Sequence, residues 1–102
     1  MNVIHILLLK PQSDVSPEQF QEAIAGLLAL QQKIAGIVDI QVHPNMKVNN
    51  PKDYTHIVTF TFESEQHFEA YLPHPEHQVF IREFAHRFDN LIVFDYLQDQ
   101  NQ

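Results

Sequence analysis

The chain has 102 residues, 44% of them hydrophobic, and a formal net charge of −7 with only six Lys and Arg. That length suits one domain, residues 1–102, large enough to bury a core of its own. Without a basic stripe there is no electrostatic footprint for nucleic acid or anionic lipid, and with no cysteine disulfides and thiol chemistry are excluded.

Val3 to Lys10 is predicted as a strand of apolar residues around one histidine. Its run from Ile4 to Leu9 is far short of the ~20 residues a membrane span needs, and no small-residue cleavage site follows it. A cytoplasmic protein is therefore expected. Ser16-Pro17-Glu18-Gln19 is a strong helix start, with Ser as N-cap, Pro at the first position and Gln closing a capping box. Phe20, Ile24, Leu27, Leu28 and Ile34 recur at helical spacing, and Gly36 ends the helix. Ile37 to Val48 alternates as a strand, and Asn49-Asn50-Pro51-Lys52-Asp53 is a turn. Tyr54 to Glu63, rich in β-branched and aromatic residues, is the clearest strand. Ser64 caps a short helix reaching Leu72. Pro73 and Pro75 make a rigid link, a further helix runs from about Pro75 to Phe88, and Leu91 to Leu97 is the last strand.

This order matches the split β-α-β arrangement of ferredoxin-like α+β folds: an antiparallel four-stranded sheet with helices on one face. In the first strand His5, Leu7 and Leu9 point one way, and Ile4, Ile6 and Leu8 the other. Both faces of the sheet are apolar, yet the helices cover only one. A second copy of the chain, packed sheet to sheet, is the expected cover.

Tyr71-Leu72-Pro73-His74-Pro75-Glu76-His77 places a phenol and two imidazoles within seven residues. His77, Phe80, Phe84 and Phe88 form one stripe at spacings of three, four and four. His5 and His56 lie on apolar strand faces. If His5, His56, Tyr71 and His77 converge, they make a polar cluster in an apolar pocket, the usual composition of a ligand site. Taken singly, a buried histidine is more often a satisfied structural residue. His74 and His77 straddle a proline and need not share a face, so no metal site and no cofactor are expected. His43, His67 and His86 read as solvated.

Val3 to Lys10, Ile34-Ala35-Gly36-Ile37, Tyr54-Thr55-His56-Ile57-Val58, Phe62-Glu63-Ser64, Tyr71 to His77 and Phe94-Asp95-Tyr96 together resemble the stress-responsive dimeric α/β-barrel domain family over nearly the whole chain. The resemblance implies a ferredoxin-like homodimer whose two sheets form a central barrel. One plant member closes a linear polyketide by intramolecular aldol condensation, without a cofactor. By that resemblance His77 matches its general base, Tyr71 its substrate-polarising hydroxyl, and His5 and His56 further pocket histidines. The expected pocket also includes Leu7, Leu9, Ile24, Leu27, Val58, Phe80 and Phe88. The chain departs from that enzyme where Ala23, Ile24 and Leu27 replace tunnel aromatics, and where Phe88 replaces a larger ring. Two functions stay open: a dimer that binds a small apolar or aromatic molecule, or a cofactor-independent cyclase-like or monooxygenase-like enzyme. A third possibility is a scaffold whose dimer interface is its purpose.

Overall fold

The computed structural model describes residues 1–46 and 51–99. In chain order it contains β1 (Asn2–Leu9), α1 (Pro17–Lys33), β2 (Ile37–Pro44), β3 (His56–Phe62), α2 (Glu65–Tyr71), α3 (Pro75–Phe84), a 3-10 turn at Ala85–Arg87, and β4 (Ile92–Gln98). The strands form one antiparallel sheet in the order β2-β3-β1-β4. This is the ferredoxin-like α+β fold.

Local chemistry explains each boundary. The Ser16 hydroxyl accepts from the Gln19 backbone N–H at 3.1 Å, and the Ser16 N–H donates to the Gln19 side chain at 2.9 Å. That reciprocal pair satisfies two orphan donors at the start of α1. Gly36 turns the chain into β2 at φ +93°, where a Cβ would lie 2.3 Å from the His67 ring. Only glycine fits both the left-handed backbone and the close approach. His67 is thus half-buried rather than solvated, its Nδ1 2.8 Å from the Ser64 hydroxyl.

The core lies between the helices and one sheet face. Val3, Leu7 and Leu9 of β1 and Val58, Phe60 and Phe62 of β3 pack against Phe20, Ala23, Ile24, Leu27 and Leu30 of α1. A bulge between Ile37 and Asp39 lets Ile37 and Ile40 both reach this core, although strict alternation would put them on opposite faces. Gln31 of α1 supports the bulge: its amide donates to the Val38 carbonyl at 2.9 Å and accepts from the Ile40 N–H at 3.2 Å.

Three boundaries differ from the sequence expectation by two residues or more. β2 ends at Pro44, because proline cannot donate to a ladder; Lys47, Val48, Asn49 and Asn50 lie outside the described residues. β3 begins at His56. Tyr54 instead spends its hydroxyl on the Asn90 carbonyl at 2.7 Å. α3 stops at Phe84 and tightens into the 3-10 turn. Phe88 is therefore off the helical stripe, and it reaches the core through an isolated bridge to Pro11.

The face away from the helices carries Ile4, Ile6 and Leu8 of β1, Ile57 of β3, and Ile92, Phe94 and Tyr96 of β4. Toward β2 it becomes polar, with Asp39, Gln41 and His43. The helices also fall short of β4. Even on the helix side, Val93 is 49% and Leu97 48% exposed.

Candidate functional site

Three of the four polar residues singled out from the sequence meet at one end of the helix–sheet layer. His5 sits in mid-β1 and is only 6% exposed. Its ring touches Phe60 and Phe68 at centroid separations of 5.2 and 5.4 Å and faces Tyr71 at 5.9 Å. Tyr71 ends α2 and is 2% exposed. The rings of Tyr71 and His77 lie 4.1 Å apart, tilted by 34°.

The link between α2 and α3 sets this geometry. His74 caps α3, its Nδ1 accepting from the Glu76 N–H at 3.1 Å. Pro75 starts the helix with the φ a first turn needs. His77 then lies one turn in, and its Nδ1 is 2.9 Å from the Leu72 carbonyl. A carbonyl only accepts, so Nδ1 carries the proton and Nε2 keeps its lone pair. Burial holds His77 below the ordinary imidazole value, and the nearby His5 and His74 push the same way, while the Leu72 hydrogen bond partly opposes them. At neutral pH His77 is a neutral base. Burial pushes the Tyr71 phenol well above its usual range, so it is a hydrogen-bond donor and never a phenolate near pH 7. No residue among those described hydrogen-bonds the Tyr71 hydroxyl, which is thus free to meet a ligand.

A carboxylate that sequence reasoning did not assign completes the cluster. Asp95 of β4 stands directly across from His5 and accepts a hydrogen bond from its Nδ1. The available signal was a lone carboxylate alternating with Val93 and Leu97 in an apolar strand. Its partner could be named only from the register.

His56 does not join them. It pairs with Leu9, whereas His5 pairs with Phe60, so four residues of strand, ~13 Å, separate the two positions. His56 packs on Phe20 at 5.1 Å, its Nδ1 2.8 Å from the Thr55 hydroxyl. It borders a mainly apolar pocket of about 260 Å³ shared with Pro11, Val15, Pro17 and Phe20. Burial lowers its pKa as well. Between the two ends, Leu7, Leu9, Ile24, Leu27, Val58, Phe80 and Phe88 are all buried core residues.

Among the described residues no group of three or more His, Asp or Glu side chains is placed to hold a metal ion, and no helix is long and apolar enough to cross a membrane. His43 and His86 are exposed, as expected from the sequence.

Fold and cluster together define a ferredoxin-like α+β domain with an imidazole–phenol cluster at one end of its helix-covered face. The chain belongs to the Stress responsive A/B Barrel Domain (Dabb) family, whose model matches residues 3–98. It is 34% identical over 95 residues to the stress-response A/B barrel domain-containing protein HS1 of Arabidopsis thaliana, covering 92% of this chain and 87% of that one. It is 30% identical over 97 residues to the olivetolic acid cyclase of Cannabis sativa, covering 94% and 96%. A crystal structure of an Arabidopsis thaliana protein superposes with a TM-score of 0.88 at 32% identity over 96% of each chain. A dimeric ferredoxin-like protein from Bacteroides fragilis matches at 0.68 and 28% identity, covering 93% and 94%. More distant solved structures of this fold are likewise dimeric.

Proposed function

We propose that the chain works as a homodimer of single domains, in the cytoplasm, and binds a small apolar or aromatic molecule between helices and sheet. Tyr71 and His77 meet its polar group; the hollow beside Phe20 and His56 lies at the other end of the buried core and is a separate cavity. The observation that carries this reading is the state of His77: neutral, oriented by its Nδ1–H to Leu72, and set in a tilted contact against a buried phenol whose hydroxyl no described residue hydrogen-bonds. Packing alone does not call for a phenol and an imidazole set against each other in an apolar layer, where polar groups are costly to desolvate. Ala23, Ile24 and Leu27 favour a ligand of different shape from the long alkyl polyketide that the resemblance suggests.

The same observation favours a second reading, cofactor-independent acid–base catalysis; one relative is a cyclase. The lone pair on His77 Nε2 takes a proton from the carbon α to a carbonyl. The Tyr71 hydroxyl donates to the developing enolate oxygen, where donors stabilise most. The carbanion then closes on a second carbonyl of the same molecule, and the proton on His77 returns to the new alkoxide.

Soaking dimer crystals with small aromatic and β-keto compounds tests both readings. Density within hydrogen-bond reach of both Tyr71 and His77 is expected. A β-keto compound that emerges cyclised establishes catalysis, and His77→Gln should then lose about 10²–10⁴ in turnover. If every compound leaves the cluster closed and unliganded, the site is core structure and the proposal fails.

A further inference from the structure

Asp95 belongs to the strand that the helices leave bare. On the helix side of the sheet, Val93, Asp95 and Leu97 stand opposite Leu7, His5 and Val3. The β1 residues are buried and the β4 residues exposed. The His5–Asp95 pair is therefore lopsided: the His5 side chain is 7% exposed and that of Asp95 38%. Ile92, Phe94 and Tyr96 lie on the opposite face of the same strand, with Phe94 63% exposed. β4 is apolar and open on both faces, which soluble proteins rarely tolerate, and its one carboxylate holds the most buried histidine of the site.

We propose that a second copy of this chain closes over β4 and completes the site, so that formation of the interface fixes how Asp95 holds His5. The inference rests on the homodimer proposed above and adds a coupling between its interface and the cluster. A second copy is the fitting occupant, since solved structures of the same fold are dimeric. On the face away from Asp95, Ile92, Phe94 and Tyr96 run on into Ile6, Leu8 and Ile57 of the open sheet. On the other face the exposed Val93 and Leu97 flank Asp95, so a copy that covers the apolar surface of β4 wraps the strand and shields the carboxylate as well.

The coupling has a plain cause. In a lone protomer, water competes for the Asp95 oxygens and gives the His5 Nδ1 proton a route to exchange. Excluding that water strengthens a charge-assisted hydrogen bond in a low-dielectric surrounding. It also holds His5 as the Nδ1–H tautomer, with Nε2 as acceptor. Asp95 is thus a positioning residue, acting on Tyr71 through His5. By reciprocity, whatever favours this arrangement of His5 also favours the dimer.

The test is imidazole ¹H–¹⁵N NMR on the full chain, diluted through its dimer–monomer transition, with analytical ultracentrifugation at the same concentrations. In the dimer His5 is expected as the Nδ1–H tautomer, its ring proton exchanging about tenfold slower than in the monomer. The exposed His86 should not respond. Phe94→Glu, which changes an exposed residue outside the cluster, should give the monomer spectrum at concentrations where the natural chain is dimeric. If that variant fails to fold, the dilution series alone decides. Asp95→Asn should release the tautomer in the dimer, which a carboxylate with only a packing role would not do. A dimer whose His5 signals match those of the monomer overturns the coupling and leaves the proposed function standing. A chain that is monomeric throughout overturns the coupling and the homodimer together.

Discussion

The two ends of the helix-covered face make an instructive pair. Each carries an imidazole whose pKa burial lowers. At the α2–α3 end, His77 meets a buried phenol and lies near a second imidazole that is itself tied to a carboxylate. At the α1 end, His56 has one hydroxyl, one phenyl ring and an open hollow. Burial of a histidine therefore does not make a site by itself. Convergence of several polar groups on one point is what sets the α2–α3 end apart, and the link between α2 and α3 supplies it.

The largest effect that separates the ends should come from truncating their rings. Tyr71→Ala removes a side chain packed between Phe60, Phe62 and His77 and should cost about 3–5 kcal/mol. His56→Ala, at a half-buried position beside a hollow, should cost about 1 kcal/mol. Urea unfolding of the two variants measures both, and equal losses would erase the distinction. A smaller loss is expected for Gly36→Ala, which forces a left-handed backbone worth about 1–2 kcal/mol and presses a methyl into His67 at the base of α2.

The subtlest comparison uses pH. Both His56 and His77 have folded-state pKa values below the ordinary 6.5. Above 6.5 both are neutral in the folded and unfolded chain, and their contribution to stability is fully present. Below 6.5 the unfolded chain takes up protons first, so stability falls until the folded-state values are passed. Denaturation midpoints from about pH 7.5 down to about 5 should decline in the natural chain. His77→Gln and His56→Gln should each flatten part of that decline. If neither does, burial of these imidazoles is not what the acid limb reports.

Much of the fold was legible because its signals are local. Ser16-Pro17-Glu18-Gln19 starts a helix wherever it occurs, since the capping partners are three residues apart. The alternation in Tyr54 to Glu63 and the helical spacing after Phe20 reflect periods of the backbone itself. The misses were non-local. Ile37 and Ile40 share a face only because Gln31 of α1 supports a bulge. Phe88 enters the core after α3 has ended, held by Pro11 from the other end of the chain. His67 is half-buried because Gly36 leaves room for its ring.

The site divides along the same line. Tyr71 and His77 could be placed together from sequence, because only five residues, two of them prolines, link them. That His5 joins them, that Asp95 holds His5, and that His56 stands apart were decided only by the tertiary structure. Strand register sets which residues face one another across β1, β3 and β4, and it depends on hydrogen bonds between segments that include residues as distant in the chain as Asn2 and Gln98. Short-range spacing carries no record of that pairing.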